Sequence, residues 1–298
     1  MTAIAEADNL GKRYGARWGL KGCTLSLPAG RAIALVGPNG AGKTTLLQLM
    51  VGLLRPTEGA VRVCGHEPFK QPADVLPRVA FVAQDQPLYS NFTAEDLMTL
   101  GAHLNRRWDD RLVRDRLRQL RVPLDRPVGR LSGGQRAQVA LGLSLAKQAD
   151  IVILDEPLAS LDPLARQEFL QTLMEAVTES GATLILSSHI VDELERVCDY
   201  LVILATARVQ LTIAIDEALD THKKLTGPPS DLLALSSIHD VVVASQTPRQ
   251  MTAVVKGSGR MLDPSWETHA MSLQEIVLAY LTRSRQEEAE PAAELAVR

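Results

Sequence analysis

Three short stretches of this 298-residue chain carry side chains whose chemistry requires them to be brought together. In Gly37-Pro38-Asn39-Gly40-Ala41-Gly42-Lys43-Thr44-Thr45, three glycines precede a lysine and two hydroxyls. Glycine lets backbone N–H groups turn inward around a phosphate with no Cβ in the way. A helix starting near Lys43 adds the positive end of its dipole. Lys43 supplies a compact cation for β- and γ-phosphates, and Thr44 a hydroxyl for Mg²⁺. Ile151-Val152-Ile153-Leu154-Asp155-Glu156 reads as an apolar strand ending in two acids. Neighbouring side chains on a strand point to opposite sides. Asp155 therefore suits a Mg²⁺ shell, and Glu156 suits polarising a water for attack on a terminal phosphate. An acidic strand end also serves elsewhere as a helix cap or a surface pair.

The third stretch, Leu131-Ser132-Gly133-Gly134-Gln135-Arg136, begins a helix with a Ser-x-x-Gln capping box. A well-capped helix is one reading. Two successive glycines weaken a helix start unless something must approach the backbone closely, and a phosphate at the dipole end is the natural guest. Such a tip cannot fold back onto a nucleotide held by residues 37–45 of its own chain, so the pair implies an ATP site shared between two copies.

The elements that must position these residues follow an alternating strand and helix pattern over the first ~210 residues, the signature of an α/β fold with a largely parallel sheet. Strands are expected at 31–36, 61–64, 78–83, 151–154, 183–187 and 200–204, with a helix over 44–54. Residues 85–145 read as a helical insert: Thr93 and Asp96 form a box-like start, Leu97, Leu100 and Leu104 recur at helical spacing, and Val113, Leu117 and Leu120 mark a second helix. The expected division is 1–214 for the main domain and 215–284 for a small β/α accessory domain. That domain holds β-like segments at 241–244 and 251–255 and a helix at 272–281. Thr226–Ser230 reads as a linker or turn, and the acidic stretch 285–298 as a disordered tail.

Composition narrows the partners. With 32 basic and 35 acidic residues the net charge is −3, so no bulk positive field recruits nucleic acid. Three dispersed cysteines suit a reducing cytosol better than a disulfide frame or a zinc site. The N-terminus lacks a signal-peptide pattern. No apolar run approaches the roughly 18 residues of a spanning helix, so any membrane function needs another chain to cross.

Taken in order, these motifs resemble the ATP-binding subunit of an ABC transporter over residues 1–210, which implies a P-loop NTPase core of the ABC type with ATP and Mg²⁺ as its ligands. Lys43 and Thr44 match Walker A, Asp155 and Glu156 match Walker B with its catalytic glutamate, and 131–135 reads LSGGQ. By the same resemblance Gln84 is the Q-loop glutamine that touches Mg²⁺ and senses the membrane subunit. Ser160-Leu161-Asp162 is the D-loop, His189 the switch histidine at the γ-phosphate, and Tyr14 the aromatic that stacks on adenine. Standing alone, each of these four is a weak signal, a lone His or Tyr being more often structural; their order and spacing around the stronger motifs reverse that reading. The family implies a head-to-tail dimer, and since no catalytic position is degenerate a homodimer would have two working sites.

The accessory segment resembles separate-permease (ABC-2 type) exporters of drugs, antibiotics, lipids or polysaccharides. It implies a peripheral protein at the cytoplasmic face of the membrane, paired with a permease and a second ATP-binding subunit, with the insert docking a permease helix. Ala205-Thr206-Ala207 departs from the glycines common in the family at that turn. The rival readings are a soluble ABC ATPase in DNA repair or translation, or one with a regulatory role. Only about 47 residues separate Gln84 from Leu131, too few for a repair-type coiled coil, and a single cassette argues against the translation type.

Overall fold

The computed structural model describes residues 2–159, 161–229, 232–257 and 265–296. Ser160 and Ser230, two residues of the motifs above, lie outside them. The chain opens with two long strands, β1 (Ala3–Tyr14) and β2 (Arg17–Pro28), followed by β3 (Ala32–Val36), α1 (Lys43–Met50) and β4 (Glu58–Val63). The short α2 (Pro72–Val75) leads to β5 (Val79–Val82). The insert contributes α3 (Ala94–Leu104), α4 (Asp110–Gln119) and α5 (Gly133–Ala146). The core resumes with β6 (Ile151–Asp155), α6 (Pro163–Ser180), β7 (Thr183–Ser188), α7 (Val191–Glu195), β8 (Tyr200–Ala205) and β9 (Arg208–Ala214). The remainder is α8 (Ile215–Thr221), β10 (His222–Gly227), α9 (Leu232–Ser236), β11 (Asp240–Gln246), β12 (Met251–Lys256), β13 (Glu267–Ala270) and α10 (Leu273–Ala296).

The central sheet has the order β5-β6-β7-β3-β8-β9, parallel throughout except for the antiparallel edge strand β9. Its strands are covered on both faces and read as continuous apolar runs, as buried parallel strands do. Alternation assigns the faces. Ile33, Leu35, Ile151, Ile153 and Ile185 pack with Leu46, Leu47 and Met50 of α1 and with the antiparallel sheet β2-β1-β4. Ala34, Val36, Val152, Leu154 and Leu186 pack instead with residues of α5, α6, α7 and α10. The insert has its own core, with Leu97, Met98, Val113, Leu117 and Val139 buried together. Thr93 closes the expected capping box with Asp96.

The structure departs from expectation at several points. The helix after the glycine-rich loop ends at Met50 rather than Leu54, because Gly52 takes a left-handed φ of 77° and turns the chain. Strands β1, β2 and β9 and helix α6 were not foreseen, although Cys23, Leu25 and Leu27 are buried with a period of two. Thr226 and Gly227 are the end of β10, paired with β12, and not part of a linker. Residues through Ala296 continue α10 rather than forming a coil tail. Their Glu- and Ala-rich composition has high helix propensity, and Arg283 donates to Glu287 across one turn at 2.7 Å. No helix among the described residues is long and apolar enough to cross a membrane.

The accessory strands form a separate antiparallel sheet of order β11-β12-β10-β13. It is tied to the C-terminal helix by a buried polar pair. His222 Nδ1 lies 2.8 Å from the Ala218 carbonyl, and Nε2 lies 3.0 Å from the Tyr280 hydroxyl. A carbonyl only accepts, so Nδ1 carries the proton and the neutral ring accepts from Tyr280 at Nε2. Burial pushes the His222 pKa down from its ordinary 6.5 and the Tyr280 pKa up to about 12. The unfolded chain therefore binds a proton more readily than the folded one, and stability is lost as pH falls below about 6.5. Urea unfolding between pH 7.5 and 5 is expected to lose stability more steeply in the wild type than in His222→Gln, and parallel profiles would contradict this account.

Candidate functional site

Register brings the candidate residues into one row. Val36 at the end of β3 is paired with Ser188, Ser187 with Asp155, and Leu154 with Val82. Gly37, His189, Glu156 and the Ala83–Gln84 turn thus follow directly from four adjacent strand ends, the carboxyl edge where open α/β sheets bind ligands. Gly37 is required by close approach: a Cβ there would run into the Leu204 carbonyl oxygen at the end of β8. Gly42 adopts φ 106°, and a Cβ on it would collide with the Gly19 carbonyl. Pro38, Asn39, Gly40 and Ala41 form the rest of the turn, closed by Ala41 N–H donating to the Pro38 carbonyl at 3.1 Å.

Lys43 is almost wholly buried at 6% exposure. Its ammonium donates to the carbonyls of Gly37 at 2.7 Å and Pro38 at 3.3 Å, and stands 3.0 Å from Glu156 Oε1 as an ion pair. The other carboxylate oxygen of Glu156 lies 2.8 Å from His189 Nδ1. Glu156 itself has φ 48°, a left-handed conformation that an L-residue adopts at a cost. Its N–H donates to Ser187 Oγ at 2.8 Å, and that hydroxyl donates in turn to Asp155 Oδ1 at 2.7 Å. The sharp turn after β6 aims the glutamate back at the loop.

Two features fit a phosphate and a divalent cation. Helix α1 starts with no side-chain cap, leaving its first N–H groups open to an anion beside a buried ammonium. Asp155 is 1% exposed, and its Oδ2 has no hydrogen-bond partner among the described residues. A buried carboxylate oxygen with no donor is suited to a hard cation with oxygen ligands. Thr44 lies exposed at the first turn of α1, next to the half-buried Thr45. Gln84 lies exposed in the turn after β5. Tyr14 is 49% exposed with Lys12 Nζ 5.5 Å from its ring centre. A Cβ built on Gly19 would sit 2.8 Å from the Tyr14 ring and 3.2 Å from Thr45 Oγ1, so the ring is close to the start of α1.

The remaining candidates sit apart. Ser132 caps α5 reciprocally with Gln135, at 3.2 Å and 3.1 Å. Gly133 and Gly134 follow, and a Cβ on Gly134 would touch Ala165 at the start of α6. Asp162 caps α6 through Ala165 N–H at 3.0 Å. No hydrogen bond or ion pair joins 132–135 to 37–45 among the described residues. Ser187, which braces both acids, is a site residue the sequence reading missed; its place two residues before His189 was the available signal.

The chain is similar to known proteins in sequence and in fold. The sequence model of the family described as "ABC transporter" matches residues 20–159, and one described as "AAA domain, putative AbiEii toxin, Type IV TA system" matches 124–195. The chain is 34% identical over 215 residues to a Nod factor export ATP-binding protein I of Ralstonia nicotianae, covering 70% of this chain and 66% of that one. It is also 34% identical over 201 residues to a thiamine import ATP-binding protein of Salmonella choleraesuis, covering 66% of this chain and 85% of that one. A linearmycin resistance ATP-binding protein of Bacillus subtilis is 30% identical over 248 residues, 81% of this chain and 78% of that one. A solved structure titled as the ATP binding subunit of an ABC transporter superposes with TM-score 0.65 at 29% identity, covering 73% of this chain and 92% of that one.

If Asp155 holds the cation, Asp155→Asn should weaken nucleotide binding about tenfold or more in the presence of Mg²⁺ and little in its absence. Titration of a fluorescent ATP analogue with and without the metal measures this, and equal losses in both would contradict the assignment.

Proposed function

Since the chain belongs to the ABC transporter family, with a P-loop ATPase core, a helical subdomain and a small C-terminal β/α appendage, we propose that it binds and hydrolyses ATP to drive export through a separate membrane permease. The observation that carries the reading is the buried Lys43–Glu156 ion pair, with the half-exposed His189 on the other carboxylate oxygen, at the carboxyl edge of the parallel sheet. Lys43 and the open amides of α1 hold the phosphates, while Tyr14 offers a stacking face to the base. Asp155, with Thr44 and Gln84, would hold Mg²⁺, which neutralises charge on the transferred phosphoryl group. Glu156 accepts a proton from the attacking water as its oxygen bonds to phosphorus, and ADP and phosphate leave. His189 orients Glu156 and reaches the γ-phosphate from the other side.

The half of the site missing from one chain is the Ser132–Gln135 tip with Asp162. In a head-to-tail dimer, a homodimer in this proposal, each subunit presents these residues to the nucleotide held by Lys43 of the other. ATP then acts as the clamp between subunits. Direction of transport rests on the accessory domain. The resistance-protein match spans 81% of this chain, more than residues 1–214 amount to, and so enters that domain, whereas the importer match spans only 66%.

The permease would dock where the insert meets the sheet. A groove of about 410 Å³ there is lined by Phe81, Leu88, Leu100, Trp108, Leu143 and Lys147. The Lys147 ammonium has no ion-pair or hydrogen-bond partner among the described residues, and burial pushes its pKa down. An amphipathic helix bearing a carboxylate complements that lining, with the chain lying at the cytoplasmic face of the membrane.

Two outcomes are expected. Glu156→Gln should lower ATP turnover about a hundredfold or more while leaving MgATP affinity within a few-fold, measured by phosphate release and nucleotide titration; near wild-type turnover removes Glu156 as the base. Lys147→Glu should abolish co-purification with the permease and leave basal hydrolysis unchanged, whereas intact co-purification removes this groove as the docking site.

A further inference from the structure

Resting on the ATPase reading above, we propose that Arg166 and Glu193 form a positioning pair that sets His189 against Glu156. Arg166 lies in the first turn of α6, four residues after Asp162. Glu193 lies in α7, four residues after His189. One guanidinium spans the two segments: Nη1 donates to Glu193 Oε1 at 2.9 Å and Nε to the Leu161 carbonyl at 2.9 Å. This is a use for the arginine fork that a lysine, with a single ammonium, does not reproduce. The side chains are 27% and 19% exposed, so water screens the pair only partly.

His189 depends on where α7 sits. Its side chain is 48% exposed, and among the described residues its ring is hydrogen-bonded to Glu156 alone. Little packing holds the ring, so its reach is set by the backbone between Ser188 and Val191. Helix α7 has only five residues and cannot hold itself in place. Its supports are tertiary. Val191 and Leu194 are buried among Leu273, Ile276 and Val277 of α10, and Arg166 holds the first turn through Glu193. The other oxygen of Glu193, Oε2, is buried with no hydrogen-bond partner among the described residues. Removing Arg166 would leave that carboxylate without its cation in a partly dry place, and α7 would have to shift to rehydrate it.

The pair also joins two motif segments and lies beside a third. The Leu161 carbonyl belongs to the turn before α6, and Ala165, next to Arg166, meets the position of a Cβ on Gly134 at 3.4 Å. A displacement of the Leu161–Asp162 turn can therefore be felt at α7 through the Arg166 side chain, and one of the serine-glycine tip through Ala165 and the first turn of α6.

The test is steady-state hydrolysis by the full chain, with Glu156→Gln as the blank and thermal unfolding of each variant measured alongside. Arg166→Ala and Glu193→Ala are each expected to lower kcat about tenfold or more, with KM for MgATP within about twofold. The double variant should be no slower than either single one, and Arg166→Lys should be intermediate. Wild-type kcat in a folded Arg166→Ala protein, multiplicative losses in the double variant, or a loss confined to KM would overturn the proposal. If the alanine variants do not fold, Glu193→Gln decides: a kcat loss at unchanged KM supports the pair, and wild-type kcat overturns it. Absence of Glu156-dependent hydrolysis in the wild type is a different failure, which overturns the ATPase reading and the pair with it.

Discussion

A buried ammonium facing a buried carboxylate is the constraint around which this protein is built. Lys43 and Glu156 are 6% and 8% exposed and 3.0 Å apart. Either charge left alone at such a place would be strongly destabilising, because little water is available to solvate it. The central sheet, the glycine contacts of the loop and the left-handed turn at Glu156 all serve to bring the two together. Ser187 completes the arrangement by donating to Asp155 and accepting from the Glu156 amide. In the proposed mechanism the same cation serves both the carboxylate and incoming phosphates, which would couple nucleotide binding to the freedom of the base.

Much of this was legible because local signals agreed with the global fold. The apolar runs at 151–155, 183–188 and 200–205 are buried parallel strands. The glycines at 37 and 42 stand where a Cβ would meet backbone. Thr93 and Ser132 both cap helices through the boxes that their spacing suggested. Strand order was beyond reading. That β3 lies between β7 and β8 is what places His189 beside the loop, and only tertiary pairing decides it.

What escaped was chemistry distributed across distant segments. Ser187, the Arg166–Glu193 pair and the His222–Tyr280 contact each involve residues 27 or more apart in sequence or a role set by a neighbour's geometry. Asp162 reads equally well as a helix cap, which it is within one chain, and as a residue offered to a partner. The accessory domain was underestimated because its strands are short and half-exposed. His222, Lys223 and Lys224 in β10 carry little of the β-branched signal that marks a strand. Yet its last helix packs against α7, so the domain bears on the loop carrying His189.

Within one chain the serine-glycine tip has no contact with the phosphate loop among the hydrogen bonds of the described residues, and its capping box is complete without a ligand. The proposed mechanism needs that tip to close on the nucleotide of a second copy. The most direct measurement is the sedimentation of the Glu156→Gln protein, expected to retain its nucleotide, with and without MgATP. A monomer that becomes a dimer only with MgATP, and fails to do so when Ser132→Arg is added, is the predicted result. A protein that remains monomeric at saturating MgATP, alone and with its permease, would contradict the shared site.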